Sequence, residues 1–154
     1  YDGGVPFVSP ATRAWLDELA HDGQPGGAAG GGRADRIDKV IAEARETLAA
    51  GDAAGALRKL EDALGASAAG NVRLRAEELH MLCSQREAKT AAALARALAR
   101  EIEQSGLAKL EPDIAVEAMT AACRALDLAG DAEGAEALRE KTAAIKPSAV
   151  LGWN

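Results

Sequence analysis

His80 and Cys83 stand three residues apart in the run Glu77-Glu78-Leu79-His80-Met81-Leu82-Cys83. On a helix that spacing brings an imidazole and a thiol to adjoining positions. Both groups ligate zinc, and a tetrahedral site would take both, but it needs further ligands that the sequence does not place beside them. The other histidine, His21, and the other cysteine, Cys123, are distant, and no C-x-x-C occurs. His80 therefore reads as a partly buried histidine, and Cys83 and Cys123 as buried small hydrophobes within apolar helical patterns. The carboxylate pairs Glu77/Glu78 and Asp17/Glu18 are adjacent in the chain. Neighbours on a helix point to different faces, so neither pair is arranged for acid–base work. The charged run over residues 75–80, and Leu138-Arg139-Glu140-Lys141, read as solvated helix faces with i, i+4 support. None of Ser9, Ser67, Ser84, Ser105 and Ser148 lies in a nucleophile elbow. No catalytic, metal or cofactor constellation emerges, and a non-catalytic role is expected.

Composition narrows the class further. The chain has 154 residues, 48% of them hydrophobic, with a formal net charge of −6. That suits one globular or helical-array domain able to bury a core without disulfides. An acidic surface repels phosphate backbones, so nucleic acid is not an expected partner. No apolar run approaches the ~20 residues of a bilayer span, so membrane insertion is not expected. The sequence opens at Tyr1 rather than Met and shows no signal-peptide pattern, which reads as a piece of a longer protein.

The chain reads as three parts in succession. Residues 1–21 carry Phe7 and Trp15, with Ser9-Pro10 as cap and first position of a short helix. Residues 22–33 are glycine-rich and read as a flexible linker. A phosphate-binding role for these glycines lacks both the G-x-x-x-x-G-K-[ST] pattern and a preceding strand. Residues 34–154 form the main body, an all-α one. Ile37, Val40, Ile41, Ala44 and Leu48 make a helical stripe that Gly51 ends, and Asp52 caps the next helix, faced by Leu57, Leu60 and Leu64. Further helices are expected over 71–84, over 87–104 with Gly106 as stop, from Glu111-Pro112 to Gly130, and from Asp131 to Pro147. Period-2 alternation with β-branched residues is missing, so no sheet is expected.

The turn Ala50-Gly51-Asp52-Ala53-Ala54-Gly55-Ala56 returns as Ala129-Gly130-Asp131-Ala132-Glu133-Gly134-Ala135. Gly-Asp ends one helix and caps the next within two residues, which demands an antiparallel αα-hairpin. The small residues after it, Ala53, Gly55 and Ala56, are expected to let the second helix start close to the first. A degraded third copy puts Arg86-Glu87 where Gly51-Asp52 stood and Ala91 where Ala56 stood. Gly51 and Arg86 are 35 residues apart, close to a tetratricopeptide-type period, and Arg86 and Gly130 are 44 apart. Three stacked hairpins result, over 35–64, 71–104 and 112–146, an array of about six helices in which stacking buries the apolar faces.

None of the four aromatic residues, Tyr1, Phe7, Trp15 and Trp153, lies between Arg33 and Pro147, where the helices are expected. Two readings account for this. The ends fold back as caps on their own chain, or they are docking segments for another subunit, since Trp and its kin dominate interface energetics. Trp153 with Leu151 and Val150, and more weakly Phe7 and Trp15, are the candidate oligomer contacts; Gly51 and Gly130 are the candidate helix-turn residues.

The order of these parts resembles a known family. Leu82-Cys83 ending a leucine-rich helix, Glu101-Ile102-Glu103 ending a long one, then Gly106-Leu107 and Glu111-Pro112, with Trp15 upstream, are similar to the C-terminal, VasJ-type domain of the TssA family of type VI secretion. Leu110 replaces a frequent aromatic of that family, and Gln85-Arg86-Glu87 a frequent Gly-Arg-Pro. The resemblance implies a ring-forming, five- or six-fold homo-oligomer in the bacterial cytoplasm. It would contact baseplate, tube or sheath components and work by assembly, with no cofactor. An alternative from another class is a monomeric tetratricopeptide-like adaptor that holds a partner peptide in its groove. The oligomer mass separates the two.

Overall fold

The computed structural model describes residues 31–65 and 68–151. The chain divides into a unit over 1–32 and a unit over 33–154, and the helical array belongs to the second. Among the described residues every regular element is helical. The helices are α1 (Gly31–Ala49), α2 (Ala53–Asp62), α3 (Ala68–Ser84), α4 (Ala88–Ser105), α5 (Leu107–Leu110), α6 (Pro112–Leu128) and α7 (Ala132–Ile145), followed by a 3-10 turn over Pro147–Val150. The expected hairpins are α1/α2, α3/α4 and α6/α7. Several details differ from the sequence reading, among them the start of α3 at Ala68 rather than 71. Helix α1 begins at Gly31, so the last residues of the glycine-rich stretch are helical. The single turn α5 has no counterpart among the expected helices; Gly106, at φ +67°, ends α4 and redirects the chain so that Leu107 enters the core.

The repeated turn is the same device three times. Gly51, Arg86 and Gly130 all have positive φ, at +91°, +58° and +76°. Each donates its N–H three residues back, to Leu48, Cys83 and Asp127. The residue after it donates five residues back, to Thr47, Leu82 and Leu126. This paired pattern is the Schellman closure, which satisfies the orphan carbonyls of a helix end. Glycine at two of the three sites accepts the left-handed conformation without a Cβ penalty. At the third Arg86 takes it instead.

The N-caps are also shared. Asp52 accepts from the Gly55 N–H at 2.8 Å and Asp131 from the Gly134 N–H at 3.0 Å. Glu87 makes no such bond. This corrects the expected role of Gly55. A Cβ there would lie 2.1 Å from Asp52 Oδ2, so the glycine makes room for the cap's carboxylate rather than for a neighbouring helix. The alanine one step further on is what lets hairpins close: Ala56, Ala91 and Ala135 are all fully buried.

Two apolar clusters hold the unit, and α3 belongs to both. Leu74 and Met81 meet Ile37, Ile41, Ala44, Ala56 and Leu60 of the first hairpin. Val72, Ala76, Leu79 and Leu82 join the larger cluster with α4, α6 and α7, including Leu98, Ile102, Met119, Leu126 and Leu138. Helix α3 is therefore enclosed on two sides, while α1 and α7 offer one face each. Alanine fills the closest approaches, with Ala95, Ala115, Ala122 and Ala125 fully buried in the larger cluster.

Candidate functional site

The first helix of each hairpin contributes to one cleft of about 340 Å³. Helix α1 supplies Asp38, Ile41, Ala42 and Arg45; α3 supplies Arg73, Ala76, Glu77 and His80; α6 supplies Ile114, Glu117 and Ala118. The spacing is helical on every contributor: Asp38/Ile41/Ala42/Arg45, Arg73/Ala76/Glu77/His80 and Ile114/Glu117/Ala118 each keep to one turn-to-turn stripe of their helix. The alanines and isoleucines make an apolar floor, and the charged residues stand around it.

Two ion pairs cross from α1 to α3. Arg45 donates both Nε and Nη2 to the two carboxylate oxygens of Glu77, each at 2.7 Å. Glu77 is only 7% exposed, whereas the Arg45 side chain remains 65% exposed. This two-pronged geometry is the strong form of a guanidinium–carboxylate pair, and it pushes the Arg45 pKa further up, with Glu117 adding to the effect through space. The second pair joins Arg73 to Asp38. Glu117 is exposed, and among the described residues it makes no ion pair within 4.0 Å.

Glu78, next to Glu77, turns to another side of α3. It is 4% exposed, its nearest cation is Arg75 at 3.7 Å, and its Oε1 has no hydrogen-bond partner. Arg75 is shared with Glu101 of α4 at 3.5 Å. Burial raises the Glu78 pKa, Arg75 counteracts this, and Glu61 of α2 raises it again. The reading of residues 75–80 as a solvated face is thus overturned: Glu77 and Glu78 lie inside, because α3 is the middle helix of the array. Only the divergence of the two carboxylates survives from that reading.

His80 is half-buried at the cleft, and Cys83 packs from its side of α3 against the larger cluster. Cys123 is buried, donates Sγ–H to the Ala135 carbonyl at 3.3 Å, and burial pushes its pKa to about 11. No group of three His, Cys, Asp or Glu able to hold a metal occurs among the described residues. No described helix is long and apolar enough to cross a membrane. Gly51 and Gly130 occupy their turns. Leu151 is 80% exposed and Val150 half-buried. Phe7, Trp15 and Trp153 lie outside the described residues, as do Tyr1 and residues 22–30.

A further exposed residue stands beside these. Leu110 of α5 is 77% exposed. The Lys146 Nζ–Asp113 Oδ1 pair, at 2.8 Å, ties the end of α7 to the start of α6. Leu110 and Leu151 therefore stand at the same end of the third hairpin. The sequence signal for Leu110 as a surface contact is its place directly before Glu-Pro, where a helix start normally meets solvent.

No curated protein and no solved structure matches the chain. A family model does: the one described as type VI secretion, EvfE, EvfF, ImpA, BimE, VC_A0119, VasJ matches residues 1–144. That span includes every hairpin helix almost to the end of α7 as well as the segment bearing Phe7 and Trp15. The array of αα-hairpins, its repeated turns and the Glu-Ile-Glu to Glu-Pro block are thus those of a chain that belongs to the VasJ family of type VI secretion proteins.

Proposed function

We propose that the chain is a non-catalytic structural subunit of a type VI secretion system that assembles into a homo-oligomeric ring. In this reading the ring coordinates baseplate with tube and sheath assembly on the cytoplasmic side of the bacterial membrane. A symmetric platform presents repeated copies of one weak contact, and avidity makes that contact strong. Family membership supports the setting. The observation that carries the assembly is that Leu110 and Leu151, the two most exposed large apolar residues among those described, both flank the same end of the third hairpin, from which the sequence continues to Trp153. Side chains this exposed gain most from burial against a second copy, where they would join Trp153 in one apolar patch. Residues 34–154 serve as the oligomerisation body, with Trp153, Leu151 and Val150 as contacts and Phe7 and Trp15 as weaker ones on a segment tethered through 22–33.

Size-exclusion chromatography with light scattering tests this. The chain is expected to elute at a multiple of its 15.8 kDa mass. A strictly monomeric chain at micromolar concentration would overturn the ring.

The cleft favours a second reading, an adaptor that holds a segment of a partner between the first helices of its hairpins. It has the size of a small binding pocket and a preformed polar frame on an apolar floor.

A further inference from the structure

The charges that line the cleft are mostly paired with one another. Five charged residues line it, three carboxylates and two guanidiniums. Four of them are already spent on each other, Arg45 on Glu77 and Arg73 on Asp38. Each arginine is held by a carboxylate of the protein itself, so an incoming acidic group would have to share it. Glu117 is the exception. It is exposed at the edge of the cleft, and among the described residues it has no ion pair, only a longer-range attraction to Arg45. Below it, Ile41, Ala76, Ile114 and Ala118 form the apolar floor. A long basic side chain fits such a surface, because its methylene stem covers apolar area while its charged head stays near water.

We propose that the cleft is a docking site for a lysine- or arginine-bearing protein segment, its aliphatic stem on the Ile41–Ile114 floor and its cationic head on Glu117. This rests on the reading of the cleft as a partner-binding groove. The occupant is basic because the one uncommitted charge is negative, and because a chain of net charge −6 attracts cations at longer range. The Arg45–Glu77 fork then serves as a rigid wall rather than as a ligand. A volume of about 340 Å³ accommodates one or two side chains, not a folded domain, so an extended segment is the partner that fits.

Methyl NMR of the full chain, labelled at the isoleucine δ1 positions, tests this at any oligomeric state. The probes are the peptides acetyl-Leu-Arg-Leu-amide, acetyl-Leu-Gln-Leu-amide and acetyl-Leu-Glu-Leu-amide. The arginine peptide is expected to shift Ile41 and Ile114 while the deeply buried Ile102 stays still. Glu117→Gln should weaken it by about two- to fivefold, the worth of an exposed ion pair, and added salt should do the same. Glu117→Lys should weaken it further, and both variants change an exposed position that the fold does not use. If the glutamine or glutamate peptide shifts the same methyls as strongly, or Glu117→Gln changes nothing, the basic specificity is overturned and the groove reading stands. If no peptide moves Ile41 or Ile114, both fall, and the ring is untouched because its test is the mass.

Discussion

Glu78 is the residue whose chemistry is least comfortable. A carboxylate buried with one unpartnered oxygen favours its protonated form, and the pKa is accordingly raised by burial first, with Glu61 adding to it and Arg75 opposing. The folded protein thus holds this proton more tightly than the unfolded chain does. By linkage, the contribution to stability is fully present below the unfolded carboxyl's range near 4.5 and is lost as pH rises through the folded value. Thermal denaturation of Glu78→Gln should therefore show a shallower decline in stability on the alkaline side of pH 4.5 than the parent; an unchanged profile would remove Glu78 as the cause. Cys123 gives a second expectation at this scale. With its pKa near 11 and its Sγ bonded to a buried carbonyl, it carries almost no thiolate at about pH 8. Alkylation by iodoacetamide at that pH should leave it unmodified in the folded protein and modify it in guanidinium chloride. Labelling of the native protein at Cys123 would mean that α6 and α7 separate readily.

Between elements, the three Schellman turns provide a natural comparison, because one geometry is served by glycine twice and arginine once. A side chain at positive φ costs about 1 kcal/mol relative to glycine. Arg86 makes no ion pair among the described residues that would offset this. Arg86→Gly should thus stabilise the protein by about 0.5–1 kcal/mol, whereas Gly51→Val or Gly130→Val should destabilise it by about 1–2 kcal/mol. Urea titrations of the three variants give the comparison directly. A stabilising Gly130→Val would show that the turn relaxes out of the left-handed region. Gly55→Ala probes the other half of the motif. Its methyl would displace the Asp52 carboxylate, so the loss of a cap worth about 1 kcal/mol should cancel the gain of about 0.5–1 kcal/mol that alanine brings over glycine inside a helix, and urea titration should show little net stabilisation. The turn motif is therefore two glycines with two jobs, one for backbone handedness and one for the cap.

At the scale of the helical array, the charged cleft lies on the first helices, the two most exposed leucines, Leu110 and Leu151, lie beside the start of α6 and the end of α7, and a third, Leu128, is exposed at the other end of α6. Ile114 of the cleft follows Leu110 by only four residues, so the two surfaces adjoin at the start of α6, and distinct readouts, oligomer mass for one and peptide binding for the other, tell them apart. Trp153→Ala, or deletion of residues 150–154, should lower the oligomer mass while circular dichroism keeps the helical signal. Leu151→Asp should act the same way, since an exposed side chain contributes nothing to the core of its own unit. Unchanged mass in all three variants would place the contacts elsewhere, and loss of helicity would make Trp153 part of the monomer's core.

The six hairpin helices, their order and the hairpin turns were legible in the bare sequence, whereas the single turn α5 was not. Those features obey rules that act within a few residues: a glycine accepting positive φ, an aspartate capping an N–H three residues on, a proline opening α6, apolar stripes of helical period. The family signature was legible for the same reason, being written in helix ends and turns. Which polar residues go inside was settled by packing instead. Glu77 and Glu78 look like any charged pair on an amphipathic helix, and they are buried only because α3 has a hairpin on each side and because Arg45, 32 residues earlier, reaches across to one of them. The cleft belongs to the same class of fact. Its residues come from helices far apart in the chain: helical spacing alone puts Glu117 beside Ile114, but only packing brings the two to Ile41. Arg86 marks the boundary between local and tertiary causes: its place in the repeat was readable, but its left-handed backbone was imposed by the hairpin that closes there.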